Sequence, residues 1–173
     1  MSKESKPRVS AVAGALFASV LGVVSLQGAV TGQWDFDSGN LSATTGSDLE
    51  YLDGNNGDTA QQTDFGTTTS LGIADIDGVE AKVMKFPAST IPMGYAMPAP
   101  SSANGGGTLV NQWTLIYDLY FPASSDGSWR GLLEVDERLT PDSDFFVNSS
   151  NGIGISGQYD GTIVADTWHR VAV

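Results

Sequence analysis

An all-β fold, a sandwich or barrel of antiparallel strands, is what the sequence predicts, and three observations carry it. Short apolar runs are separated by segments crowded with Gly, Ser, Thr, Asn and Asp, the punctuation of a protein with many turns. No helical period of useful length appears after residue 30. Finally, residues 108–121, TLVNQWTLIYDLYF, alternate with period two, as a long strand does. A chain of 173 residues with aromatics along its length suits one globular domain.

In that stretch Leu109, Trp113, Leu115, Tyr117, Leu119 and Phe121 share one face, with Asn111 as its polar member. Burying those six large side chains would contribute on the order of 9–18 kcal/mol gross. The face is therefore expected to lie beneath a second sheet. Shorter strands are expected at 33–37 (QWDFD), 81–86 (AKVMKF), 92–97 (PMGYAM), 129–135 (WRGLLEV), 144–148 (DFFVN), 152–156 (GIGIS) and 168–173 (WHRVAV). Pro87, Pro92, Pro98 and Pro100 bracket the middle strands and assign them to sheet edges or ends. Residues 101–107, SSANGGG, read as a flexible loop between strong strand signals.

Before the body of the chain, Lys3, Lys6 and Arg8 precede the apolar stretch from Val9 to Leu26, and the small residues Gly28 and Ala29 follow. This is the layout of a secretory signal peptide over residues 1–29, with an uncleaved membrane anchor as the alternative. The expected location is secreted, periplasmic or at the cell surface, with no membrane role beyond the leader. The absence of Cys excludes disulfides and suits a bacterial exported protein better than a small animal secreted domain. The whole chain carries −12; removing three cations and one anion with the leader leaves five against nineteen, or −14, for residues 30–173. Nucleic acid and anionic lipid need clustered Lys and Arg, and are not expected partners.

The succession WTLIYDLYFPASSDGSWRGLLEVD, DFFVNSSNGIGISG and GTIVADTWHRVAV resembles the laminin-G-like branch of the concanavalin A-like lectin and glucanase superfamily. Upstream, QWDFDSGNLSATTGSDLEY is similar to the opening strand of these modules. The resemblance spans residues 33–173 and is strongest from Trp113 onward. It implies an antiparallel jelly-roll β-sandwich over residues 30–173. In such modules the Trp-His-Arg-Val-Ala-Val strand is followed by others that complete both sheets. The resemblance thus implies a sandwich incomplete at its C-terminus, and residues 30–173 alone are expected to be poorly soluble, with strand edges exposed.

Glucanases of the same superfamily carry three carboxylates along one strand. Here Glu134 and Asp136 share a face in LLEVDERL, but Arg138 takes the third place and Glu137 points the other way. Glycoside hydrolysis needs two carboxyls facing each other across a cleft, so the stretch reads as a strand end in a solvated acidic turn and no catalytic residue is assigned. His169, the one histidine, reads as a sheet residue; without a second His or any Cys, zinc and thiol chemistry are excluded.

Calcium is a cofactor the composition permits. Asp75 and Asp77 in DIDGVE are the candidate ligands, and LDGNNGD at 52–58 offers similar oxygens. Asp-Gly and Asn-Gly are equally the residues of tight hairpin turns. Sugar binding requires an aromatic platform flanked by amide or carboxylate groups. Trp129 in SDGSWRG and Tyr159 in SGQYDG, each beside a turn, are the candidates; Trp34, Trp113 and Trp168 read as core. The tripeptides NLS (40–42) and NSS (148–150) match the glycosylation acceptor, which means little in a bacterial export.

Three functions remain open. The leading one is an exported, non-catalytic recognition module for glycan or another extracellular polymer within a larger protein. The others are an accessory domain to a secreted hydrolase or phosphoesterase encoded beyond Val173, and a structural or adhesive spacer.

Overall fold

The computed structural model describes residues 29–88, 90, 92–99, 101–135 and 143–173. The leader up to Gly28, Pro100 and the acidic stretch with Asp136, Glu137 and Arg138 lie outside the described residues. The described chain is all-β: ten short strands form four small antiparallel sheets, with one α-helix of five residues.

In the first half, β1 (Glu50–Tyr51) pairs with β4 (Tyr95–Ala96), and β2 (Asp64–Thr67) pairs with β3 (Lys82–Lys85). The helix α1 (Asp58–Gln62) sits between β1 and β2. Its N-terminus is closed by Asp53, whose carboxylate accepts the Thr59 N–H at 2.9 Å. Gly57 makes this possible, because a Cβ there would run into the Asp53 carboxyl group. The hydrogen bond from Thr59 holds the Asp53 pKa below its ordinary value. The expected strand at 33–37 is not formed: only Gln33 bridges Thr45, and Phe36 takes a left-handed φ of 58° that turns the chain.

In the second half, β5 (Ile116–Tyr120) pairs with β10 (Trp168–Ala172), a ladder that Leu115 and Val173 extend with two backbone hydrogen bonds of 3.1 and 2.9 Å. A four-stranded sheet follows the order β6 (Arg130–Leu133), β7 (Phe145–Val147), β8 (Ile153–Ile155), β9 (Gln158–Asp160). Its register shifts between Gly131 and Leu133, so Leu132 is the extra residue of a bulge.

These two sheets share one apolar core. Leu119, Phe121, Val147 and Ile163 are buried in it, with Tyr117, Leu132, Ile153 and Val171 packed around them. Tyr117 spans the gap: its hydroxyl donates to the Leu132 carbonyl at 3.3 Å, and burial pushes its pKa up to about 12. Arg130 lies at the margin, its guanidinium 4.7 Å from the centre of the Phe121 ring and bonded to Ser125 and Asn151.

The expected long strand from 108 to 121 is therefore half right. Tyr117, Leu119 and Phe121 enter the core, but Leu109 is 71 % exposed and Trp113 43 % exposed, so Trp113 is not the core residue its spacing suggested. The cause is Asn104. Its Nδ2 donates to the Gln112 carbonyl and its Oδ1 accepts from the N–H groups of Asn111 and Gln112, each at 2.7 Å. Those backbone groups serve the turn instead of a ladder. The glycine-rich stretch is thus a loop, as expected, and one fastened to the chain ahead of β5.

Candidate functional site

Val147 and Phe146 are neighbours on β7, so they face opposite sides of the four-stranded sheet. Val147 faces the core; Phe146 faces away. Directly opposite Phe146 on the flanking strands stand Gly131 and Gly154, and opposite Gly154 stands Tyr159. A cross-strand row thus reads Gly, Phe, Gly, Tyr. At Gly154 no side chain fits, because a Cβ would meet the Gln158 carbonyl. Gly154 leaves that flank of Phe146 without a side chain, the Ser143 side chain takes the space over Gly131, and larger rings cover Phe146.

Those rings are the two candidates from the sequence. Trp129, two residues before Gly131, lies 5.4 Å from Phe146 by ring centroids, and Tyr159 lies 5.5 Å from it. Trp129 and Tyr159 are 6.1 Å apart, edge to face, at 67°. All three separations fall in the range of attractive ring pairs. Phe146 is only 8 % exposed beneath the other two, whereas Trp129 is 62 % exposed. No two of these rings are coplanar, so together they form an angled cradle.

Asn148 completes the surface. It lies two residues beyond Phe146, on the same side, and its Oδ1 accepts the N–H groups of Ser150 at 2.9 Å and Gly152 at 3.0 Å. The cation closest in sequence to Trp129, Arg130, faces the other way, toward the core. Burial pulls its pKa below the ordinary value, with the Asp126 charge opposing. Sequence reasoning missed Phe146 and Asn148. The readable signal was FFVN between glycine-bearing runs: alternation sends Phe146 and Asn148 to the face that Val147 leaves.

The calcium candidates are placed differently. Asp77 and Gly78 hold φ of 50° and 77° at the centre of a turn closed by two hydrogen bonds between Ile76 and Val79, of 3.1 and 2.9 Å. Paired left-handed residues are the signature of the tight hairpin turn. The Asp75 carboxylate accepts the Thr68 hydroxyl proton. The hydrogen bond and charge of Asp118 raise the pKa of Arg170, and the Asp77 charge adds to them. Among the described residues, no three of His, Asp and Glu converge as metal ligands.

His169 serves the sheet: its Nε2 is 3.0 Å from both the backbone N and O of Val164. Trp34 and Trp168 are half-buried, and each indole N–H donates to a carbonyl, of Ser47 at 3.0 Å and Ala74 at 2.7 Å. Among the described residues no helix is long and apolar enough to cross a membrane. An open groove of about 500 Å³ between Ile153, Ile155, Tyr159, Asp160 and Val173 lies at the margin between the two sheets.

No protein-family model matches the chain, and no curated protein or solved structure matches it either.

Proposed function

We propose that the chain is an exported, non-catalytic recognition module, built as a jelly roll of the concanavalin A-like, laminin-G-like type, that takes a carbohydrate or related surface polymer on Trp129 and Tyr159. One observation carries this reading. Two aromatic residues far apart in sequence come within 6.1 Å on the outer face of a sheet, and one of them, Trp129, remains largely in contact with water. A tryptophan held by two neighbouring rings, yet exposed, offers a sugar's apolar face a rigid surface at little conformational cost.

Supporting the jelly-roll reading are two antiparallel sheets that meet across Leu119, Phe121, Val147 and Ile163. Support for export comes from Lys3, Lys6 and Arg8 ahead of the apolar run to Leu26.

The test is affinity gel electrophoresis of the chain through gels cast with soluble polysaccharides. Wild-type protein is expected to be retarded by at least one of them, and Trp129→Ala to migrate as in a blank gel while keeping its far-UV circular dichroism. Equal retardation of both proteins would overturn the platform. Free migration of the wild type in every gel would leave the rings a packing role only, as in a spacer.

A further inference from the structure

We infer that the polymer taken by this site is uncharged and that Asn148 gives it a directed hydrogen bond; this rests on the reading of Trp129 and Tyr159 as a glycan platform. The carboxamide of Asn148 is oriented by its own loop. Two backbone donors, Ser150 N–H and Gly152 N–H, meet its Oδ1, which fixes the oxygen end and therefore the nitrogen end. Among the described residues Nδ2 donates to no protein group.

Its location follows from Gly152. The position a Cβ would occupy there is 3.2 Å from Asn148 Nδ2 and 3.2 Å from Tyr159 Cβ. The amide nitrogen thus lies beside the tyrosine of the platform, and even a Cβ at position 152 would crowd both. A side chain there would occupy the space between them. What the protein presents is a ring surface with a neutral donor at its edge. The complementary ligand group is an acceptor: a sugar hydroxyl, a ring oxygen or an acetamido carbonyl.

Charge decides between classes of polymer. In this sheet and its turns the described charged side chains are Asp126, Glu134, Asp144 and Asp160 against Arg130. Asp160 adjoins Tyr159 and Asp144 stands two residues before Phe146. Strand residues rise about 3.3 Å each, so Asp144, on the platform's side of β7, lies within the roughly 8 Å over which physiological salt lets charges interact; Asp160, opposite Ile153, lies on the core side with Arg130. Arg130 lies over Phe121 on the opposite face, bonded to Ser125 and Asn151. A uronate or sulfate on the platform would meet the Asp144 carboxylate and, among the described residues, no cation on that face. An uncharged chain meets no such opposition.

The experiment runs the full chain through gels containing hydroxyethylcellulose, galactomannan or polygalacturonate at low ionic strength. The wild type is expected to be retarded by an uncharged polymer and to pass freely through polygalacturonate. Retardation by polygalacturonate equal to that by the uncharged polymers would overturn the inference, and needs no variant. Asn148→Ser keeps a hydroxyl able to accept from the 150–152 backbone and removes Nδ2; it is expected to bind about tenfold more weakly, the scale of one directed hydrogen bond, at an unchanged melting temperature. Wild-type affinity in Asn148→Ser would overturn the role of Asn148. If no polymer retards the wild type, or if Trp129→Ala binds as well as the wild type, the platform reading itself fails and this inference with it.

Discussion

The two halves of the molecule are held by different forces. In the second half the most deeply buried side chain is Val147, at the centre of an apolar cluster fed by both sheets. In the first half the fully buried side chains are two threonines, Thr59 and Thr68. The Thr59 hydroxyl accepts the Gly94 N–H at 3.1 Å, tying α1 to the turn before β4. The Thr68 hydroxyl donates to Asp75 and accepts the Ala81 N–H at 3.3 Å, tying the end of β2 to the approach of β3. Strands of two to four residues cannot bury a broad apolar face, so this half closes on directed hydrogen bonds, which hold only while every partner is present. The contrast also explains where a surface site arose. The four-stranded sheet has one face committed to the apolar core, which leaves its other face free to carry Trp129, Phe146 and Tyr159.

The sharpest way to break the contrast is to damage each half by its own mechanism. Phe121→Ala removes a buried ring that touches the core, the Arg130 guanidinium and the edge of Phe86, whose ring centroid is 6.5 Å away. We expect it to lower unfolding free energy by about 3–5 kcal/mol, read as a lower urea midpoint, with the near-UV dichroism of the tryptophans collapsing in the same transition. Next in size is Thr68→Val, which keeps the volume and deletes the hydroxyl. The Ala81 N–H loses the Thr68 hydroxyl as its acceptor and Asp75 loses the Thr68 hydroxyl as donor, a cost of about 1–3 kcal/mol. If Thr68→Val proved harmless, the first half would not depend on its polar network, and the distinction would fall.

How far the sequence disclosed all this follows the same division. The strands at 82–85, 130–133, 145–147, 153–155 and 168–172 were legible, because each carries an apolar run bounded by turn residues. Less legible were β1, β2 and β9, where Glu50–Tyr51, DFGT and QYD offer too few apolar positions to show a period. Residues 33–37 misled because alternation in QWDFD mimics a strand, while Phe36 adopts a backbone conformation that a bulky residue rarely takes. Residues 108–115 misled for another reason: their pattern was real, yet the Asn104 carboxamide outcompeted a ladder for two of their N–H groups. At the site, Trp129 and Tyr159 were visible as turn-adjacent aromatics. Their meeting was not visible, since it depends on Gly131 and Gly154 standing opposite Phe146, a fact of register.

The smallest expected effect probes the outer face of the β5–β10 pair, where an ion pair stands beside the Tyr120–Trp168 ring pair. Asp118 and Arg170 are direct cross-strand partners, joined by two hydrogen bonds of 2.8 and 2.7 Å in a forked geometry. The hydrogen bond from Arg170 holds the Asp118 pKa below its ordinary value, with the Arg170 charge reinforcing it and burial opposing it. A carboxylate whose folded pKa is lowered stabilises the fold above its unfolded pKa, about 3.9, and loses that contribution as pH falls through the lower folded value. Both groups are well solvated, so the contribution is small and weakens with salt. Asp118→Asn should therefore melt slightly below the wild type at neutral pH and low salt. The two melting curves should converge as the pH is taken below about 4. Arg170→Ala should behave likewise, because either substitution removes the same pair. A gap that persisted unchanged at pH 3 or in high salt would show that Asp118 acts through packing, and the outer face of β5 and β10 would then resemble the apolar core more than the charged surface that its register describes.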